Sequence, residues 1–335
     1  MKTIVITTIN IPKNLYEFIS KAKEEWTPIV VGDLKSPHEE IEKICKETRG
    51  VYLSPEKQMT LGFTHASSIP WNCYDRKNIG YLFALKEKTE VVFSTDDDNY
   101  PPDNWDSYLK LGKQEVDTIY SESGWFNYFS LSDNPRITPR GYPIGLDSRS
   151  YRKKSEQNIV IQSGLVIGDP DVDALTRAIL HPEVTRYQAL NFALGKGTVS
   201  PYNSQATLIS KEMLPVSMLW NAPYTGFYRY DDIFAGYVGQ IIASHYNKTV
   251  MFGNPIMTQT RNYHNSIKDI RSELEGIEIQ EKFVSLLKGI DLKGKTPLDN
   301  LHEIVYYLTE SIPELPKQYR LQVDTWYNDI ERIGT

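Results

Sequence analysis

The chain has 335 residues, of which 40% are hydrophobic and 24% are charged, as is typical of a folded soluble protein. Its formal net charge of -6 argues against the basic face of a general nucleic-acid binder, so we predict no nucleic-acid partner. Cys45 and Cys73 make no disulfide framework and fit a reducing, cytoplasmic location, and no apolar run reaches the roughly 18 residues of a membrane span.

Short β-rich runs alternate with helical patterns in the N-terminal part of the chain. Strands are predicted at Thr3–Ile9, Pro28–Val31, Val51–Leu53 and Glu90–Thr95, with helices at Asn14–Glu25, Pro37–Thr48 and Tyr74–Lys88. This order predicts an α/β fold with a mainly parallel sheet and helices on both faces. In such sheets ligands bind beyond the carboxyl ends of the strands.

The later chain is predicted to add strands and then a helical extension. Residues 124–157 are rich in loop-forming residues. Strands are predicted at Asn158–Ile167, within Thr198–Ser210 and at Thr249–Phe252, and helices at Asp171–Leu180 and Asp231–His245. We expect one domain over residues 1–265 and a helical extension over 266–335, whose apolar stripe permits a homodimer contact.

Three adjacent aspartates, Asp96, Asp97 and Asp98, directly follow a predicted strand. Adjacent carboxylates repel one another, and a divalent cation bound through oxygen ligands offsets that repulsion. Because alternate side chains share a face on extended backbone, Asp96 and Asp98 are the expected ligands of Mn²⁺ or Mg²⁺. The alternative is a solvent-exposed acidic turn that caps the next helix.

Two further predicted helices begin with charged residues. Arg76 and Lys77 open the helix that precedes the acidic triplet, a position that suits phosphate, although solvated surface charges explain them equally well. Asp231 and Asp232 open another helix, where a carboxylate can act as a general base or merely cap the helix.

Two more groups of residues are candidate metal ligands. His264 follows a predicted strand, and either a metal-ligand or a structural role is open. Asp169, Asp171 and Asp173 have the spacing D-x-D-x-D but lack the glycine and the distal glutamate of an EF-hand loop. Asp171 and Asp173 are therefore expected to cap the following helix, with a metal or substrate role as the alternative.

Taken in order, these motifs resemble those of the GT-A glycosyltransferases. A closer resemblance, to the STELLO-type glycosyltransferase domain known from plant Golgi proteins, spans roughly residues 3–265. The strings that carry it are RKNIGYLFAL, QSGLVIGDPDVDAL, PYNSQATL, LPVSM, DDIFAGYVGQ and QTRNYHN.

The resemblance implies metal-dependent transfer of a sugar from a UDP- or GDP-linked nucleotide-sugar to a hydroxyl acceptor such as a glycan. It assigns Thr8, Asn10, Asp33, Arg76, Lys77, Asp96 and Asp97 to the donor, and Asp96, Asp98 and His264 to the metal. Asp232 is expected to be the base of an inverting displacement, with Asp231 holding the acceptor hydroxyl. The sugar is expected to contact Gln162, Asn203, Gln205, Trp125 and Trp220.

Three other functions are weighed against transfer. The acidic triplet also resembles that of the reversibly glycosylated UDP-arabinopyranose mutases, which isomerise the sugar. A nucleotidyltransferase is disfavoured because no glycine-rich loop follows Thr3–Ile9. The last alternative is an inactive nucleotide-sugar-binding scaffold, which the presence of every candidate acid disfavours.

Overall fold

The computed structural model describes residues 1–180, 182–188, 191–260 and 265–334. Within these ranges a single 10-stranded sheet has the order β3-β2-β1-β4-β9-β7-β6-β8-β10-β5. The strands are β1 (Lys2–Thr8), β2 (Thr27–Gly32), β3 (Val51–Leu53), β4 (Val91–Thr95), β5 (Asn99–Tyr100), β6 (Gly112–Ser121), β7 (Ser150–Gly168), β8 (Asn191–Leu194), β9 (Ala206–Ser210) and β10 (Thr249–Gln259).

Ten α-helices accompany the sheet in the described ranges. They are α1 (Asn14–Lys21), α2 (His38–Glu47), α3 (Pro55–Thr60), α4 (His65–Ser68), α5 (Lys77–Lys86), α6 (Ala174–Leu180), α7 (Asp231–His245), α8 (Ser266–Gly289), α9 (Pro297–Ser311) and α10 (Gln318–Ile333). The predicted α/β class is confirmed.

The first four strands in the sheet order, β3, β2, β1 and β4, are parallel to one another. The apolar run at the centre of β1 is fully buried, because α1 and α5 cover its two faces. A strand buried on both faces is expected to be continuously apolar, which is why the sequence located these strands. Their carboxyl ends lie along one edge of the sheet.

Beyond β4 the sheet is mixed, because β9 and then β7 run antiparallel to their neighbours. The sequence predicts loop for residues 124–157, but β7 begins at Ser150 and pairs with β6 over ten residues. The N-terminal part of β7 is charged and largely exposed, so it lacks the apolar pattern that identifies a buried strand. Stacking of Tyr120 on Tyr151, with ring centroids 5.2 Å apart, supports the exposed ribbon.

The C-terminal helices α8, α9 and α10 pack into the same apolar core as the helices of the sheet. Phe283 of α8 stacks on Phe234 of α7 with ring centroids 4.1 Å apart. Trp326 of α10 is fully buried and contacts His65 of α4 edge-on at 5.3 Å.

The boundary near residue 265 and the homodimer contact stay predictions. Among the described helices, none combines the length and apolar character needed to cross a bilayer.

Candidate active site

A cavity of about 530 Å³ opens at the carboxyl ends of the parallel strands. Residues that follow β1, β2 and β4 form one wall, and residues that precede β9 and α7 form the other. The predicted residues that line it are Thr8, Asn10, Asp33, Asp96, Asp97, Asp98, Asn203, Gln205 and Asp232. Residues from distant parts of the sequence therefore share one cavity.

The predicted residues absent from this lining are Arg76, Lys77, Gln162, Asp231, Trp125 and Trp220. Trp125 and Trp220 are buried in the core, which leaves no face for a sugar ring. Gln162 donates to the carbonyl oxygens of Tyr108 and Asn254. His264 lies outside the described residues.

Arg76 is fully buried and does not contact the cavity. Its guanidinium donates to Gln58 Oε1 at 2.7 Å and to the carbonyl of Ile69 at 2.9 Å, and it stacks 3.6 Å from the ring centroid of Trp71. Arg76 is therefore not placed to make the expected diphosphate contact, because its guanidinium is buried away from the cavity, with Nε and Nη1 bonded inside the fold.

Lys77 lies beneath the acidic triplet. Its side chain is 0% exposed, and Nζ is 2.6 Å from Asp96 Oδ1 and 3.2 Å from Ser204 Oγ. Burial lowers the pKa of Lys77, but Asp96, Tyr81 and Asp232 together outweigh this effect, and the pKa is raised overall. A protein cation therefore already neutralises part of the triplet.

The other two carboxylates of the triplet accept hydrogen bonds from neutral donors. Thr8 Oγ1 and Asn10 Nδ2 both donate to Asp97 Oδ2, at 2.5 and 3.0 Å. Asn99 donates to Asp98 Oδ1 at 2.9 Å, and Gln259 of β10 donates to Oδ2 at 3.2 Å. The loop after β1 and the last strand thus fix the orientation of these carboxylates.

Arg140 is a charged residue of the cavity wall that the sequence analysis missed, as it missed Arg229. Arg140 is 7% exposed, and its Nε and Nη2 contact the Asp171 carboxylate at 3.0 and 2.8 Å. The same guanidinium is 3.2 Å from Asp232 Oδ1. Asn203 Nδ2 donates to Asp171 at 2.7 Å, so Asp171 belongs to this network while Asp173 caps α6 as predicted.

Asp231 is fully buried behind the wall and pairs with Asp75. Tyr74 donates to Asp231 Oδ1, and Asn221 donates to Asp75 Oδ2. Burial, reinforced by the neighbouring Asp75, raises the pKa of Asp231, and burial likewise raises the pKa of Asp75. Burial and mutual repulsion both disfavour ionisation of two neighbouring carboxyl groups, so we expect this pair to hold a proton.

The charge and donor atoms of the cavity are compatible with a divalent cation. Among the described lining residues, six are aspartates and two, Arg140 and Arg229, are cations. Within the described ranges, no group of three or more His, Cys, Asp or Glu side chains is arranged so that it could hold a metal ion by itself. Mg²⁺ and similar ions are commonly held by one or two carboxylates plus substrate phosphates, and Asp96 and Asp98 can supply such oxygens.

Sequence comparison gives the family. The profile of the family described as "Reversibly glycosylated polypeptide" matches residues 2–320. The chain belongs to the reversibly glycosylated polypeptide family. This match includes α8, α9 and the beginning of α10, and it extends well beyond the predicted boundary at residue 265.

Curated relatives of this member of the reversibly glycosylated polypeptide family include mutases and glycosyltransferases. The probable UDP-arabinopyranose mutase 1 of Zea mays is 23% identical over 70% of this chain and 63% of its own length. The UDP-arabinopyranose mutase 2 of Arabidopsis thaliana is 24% identical over 64% of this chain and 58% of its own length. The chain therefore spans less than two thirds of these mutases.

The resemblance to STELLO-type glycosyltransferases is confirmed. The probable glycosyltransferase STELLO1 of Arabidopsis thaliana is 25% identical over 71% of this chain and 33% of its own length. Among solved structures, S. aureus TarS 1-349 in complex with UDP-GlcNAc aligns with a TM-score of 0.44 and 11% identity, covering 100% of this chain and 81% of that chain.

Proposed function

We propose that this protein is a metal-dependent enzyme that moves the glycosyl group of a UDP- or GDP-linked sugar to a hydroxyl acceptor. The observation that carries the proposal is the single cavity that brings the acidic triplet after β4 together with Asp232 at the start of α7. The glycosyltransferase relatives support it, and the acceptor is proposed to be a glycan.

The wall formed by β1, β2 and β4 is proposed to bind the nucleotide. Asn10 and Asp33 offer polar groups to the base and the ribose, while Thr8 orients Asp97. Asp96 and Asp98, with His264, are proposed to hold Mn²⁺ or Mg²⁺. A cation held by these residues would supply Lewis-acid stabilisation of the departing nucleoside diphosphate. Lys77 neutralises Asp96 from below and lets the cavity accept an anionic donor.

Asp232 is proposed as the general base, and an inverting displacement follows from that role. Its carboxylate lines the cavity and is held by the Arg140 guanidinium, which also binds Asp171. A fixed carboxylate within reach of an acceptor hydroxyl can take its proton as the new glycosidic bond forms. Asp231, proposed from the sequence to hold the acceptor, lies behind this wall and is better placed to fix the Asp232 backbone, since it accepts from Asp232 N–H at 2.8 Å.

A thermal-shift screen tests donor binding. UDP-glucose, UDP-arabinopyranose and GDP-mannose are each added with and without Mn²⁺. A donor at 100 times its Kd is expected to raise the free energy of unfolding by about 2.7 kcal/mol. Asp98→Ala should fold normally and lose the metal-dependent part of this shift, whereas Asp103→Ala, at an exposed position, should keep it. A shift that is independent of metal in every variant contradicts the metal assignment.

The rate of donor turnover tests whether Asp232 is the general base. Asp232→Asn is expected to bind the donor like the wild type and to lose about 10²–10⁴-fold in transfer rate, because the amide cannot accept the proton. Asp173→Asn makes the same change at an aspartate outside the cavity lining, where the amide oxygen can still cap α6, and serves as the control. Transfer at the wild-type rate in Asp232→Asn would show that another group is the base.

A second candidate function is a nucleotide-sugar mutase, which the family match over residues 2–320 and the UDP-arabinopyranose mutase relatives favour. Incubation with the donor and without an acceptor distinguishes the two functions. A nucleotide-sugar with a changed ring identifies a mutase, and release of the free sugar by water identifies a transferase.

A further inference from the structure

Helix α8 contacts the chain segments that form the Arg140 side of the cavity. The backbone N–H of Gly276 donates to the carbonyl of Gly226 at 3.1 Å. The Tyr230 hydroxyl donates to Gln280 Oε1 at 2.9 Å, and Gln280 Nε2 donates to the carbonyl of Tyr142 at 3.2 Å. The sequence analysis placed this helix in a separate extension. It nevertheless supports the segment that follows Arg140 and the segment that precedes Asp232.

Glu273 is the charged residue at the centre of this contact. Its side chain is 0% exposed; Oε1 accepts from Arg229 Nε at 2.7 Å, and Oε2 accepts from the backbone N–H of Ala174 at 2.6 Å. Burial raises the pKa of Glu273, and the neighbouring Arg229 opposes that effect. A buried carboxylate is unfavourable unless it is paired, and here both of its oxygens have partners.

The contacts of Glu273 continue to the cavity. Arg229 lines the cavity wall with 18% of its side chain exposed. The carbonyl oxygen of Arg229 accepts a hydrogen bond from Arg140 Nη1, and the Arg140 guanidinium holds Asp232. Two carboxylates of α8 face the Arg229 side chain: Glu273 bonds to its Nε at 2.7 Å, and Asp269 lies 4.0 Å from its Nη1. Glu273 is therefore the nearer and fully buried partner of a residue whose backbone and side chain both face the site.

We propose that Glu273 is a positioning residue for the reaction in this cavity. It fixes Arg229 at the wall and, through the Arg229 carbonyl, the Arg140 guanidinium that orients Asp232. The inference rests on the proposed function, since it assigns Glu273 a role in the turnover of a bound donor. Its bond to the Ala174 N–H also fixes the start of α6, close to the Asp171 carboxylate that shares Arg140.

The test compares Glu273→Gln with the wild type in the full chain. The amide keeps the size of the side chain but loses the nearer of the two carboxylate charges that face Arg229, leaving Asp269 at 4.0 Å. Because a displacement of about 1 Å can reduce a rate about 100-fold, we expect donor turnover to fall about 10- to 100-fold. The Kd for UDP, measured by calorimetry with Mn²⁺, should change far less, because UDP is proposed to bind the opposite wall. A purely structural role would not separate turnover from binding in this way.

Two matched variants complete the test. Glu278→Gln changes an exposed glutamate of the same helix and should behave like the wild type. Glu273→Asp keeps the charge with a shorter side chain and should recover part of the turnover. If Glu273→Gln does not fold, a partial loss of turnover at an unchanged Kd is required of Glu273→Asp. Wild-type turnover in either Glu273 variant overturns the inference, as does a loss that only follows the folded fraction. A wild-type protein that binds no donor contradicts the proposed function instead.

Discussion

At the scale of single residues, the structure gives each clustered carboxylate a different partner. Asp96 pairs with the buried Lys77, Asp232 pairs with Arg140, and Asp231 has a second aspartate beside it. The acidic triplet therefore depends less on a bound metal cation than its sequence suggests, because Lys77 already supplies one positive charge. The cavity remains rich in carboxylates, and it is this surplus that the proposed metal offsets.

The raised pKa values of Asp75 and Asp231 predict a pH dependence of stability. Both folded-state pKa values are raised above 3.8, so the folded chain keeps a proton that the unfolded chain loses. The stabilisation is complete below about pH 4 and is lost as the pH rises through the folded pKa values, by up to about 1.4 kcal/mol per pH unit.

Asp75→Asn is expected to remove this loss. The amide oxygen can accept from Asn221, and the amide nitrogen can donate to Asp231. In urea unfolding from pH 4 to 8, the variant should gain stability relative to the wild type as the pH rises, and Asp103→Asn should not. A pH-independent difference between Asp75→Asn and the wild type would mean that the pair does not hold a proton.

At the scale of elements, α5 lies close against β1 and β2 because it has a glycine at the contact. A Cβ at Gly80 would lie 2.6 Å from Val5 Cγ1 and 2.9 Å from Val31 Cγ2. This close approach places the start of α5, and with it Lys77, directly under the ends of the parallel strands. The geometry of the helix contact therefore determines where the charge of Lys77 lies.

Gly80→Ala is expected to destabilise the protein by about 1–3 kcal/mol, because the clash outweighs the better helix propensity of alanine. Gly289 lies at the end of α8, where an added Cβ would meet no atom within 4 Å. Gly289→Ala should be neutral or stabilise by up to about 1 kcal/mol. Chemical denaturation of the two variants measures the difference, and equal effects would contradict the close packing of α5.

At the scale of the whole molecule, α10 joins the N-terminal and C-terminal parts of the chain. His65 of α4 is fully buried; Asn78 donates to its Nε2, and its Nδ1 lies 3.0 Å from Thr325 Oγ1. Asp329 of α10 accepts from the backbone N–H groups of Thr64 and His65. A neutral imidazole fits these contacts, since its single N–H faces the threonine hydroxyl.

Burial lowers the pKa of His65 from 6.5 to about 3. Between these values the unfolded chain takes up a proton and the folded chain does not, so stability falls as the pH decreases. We expect a loss of about 2 kcal/mol between pH 6.5 and pH 5 from this group. His65→Asn should be less stable at neutral pH and should lack this decrease; the same slope in both proteins would assign it to other groups.

The sequence by itself determined the α/β class, the parallel strands and the position of the acidic triplet. Hydrophobic periodicity depends on local geometry, so it shows which residues are buried and where a strand ends. It also located Asp232 at the start of α7, because helix-start signals are local.

Only the tertiary structure decided which charges meet. Arg140 lies in a segment predicted as loop, and its partners Asp171 and Asp232 are 31 and 92 residues away. Glu273 and Arg229 are 44 residues apart, on opposite sides of the boundary predicted near residue 265. No local pattern encodes such pairs, because they depend on how separate elements pack, and burial then requires each charge to find a partner.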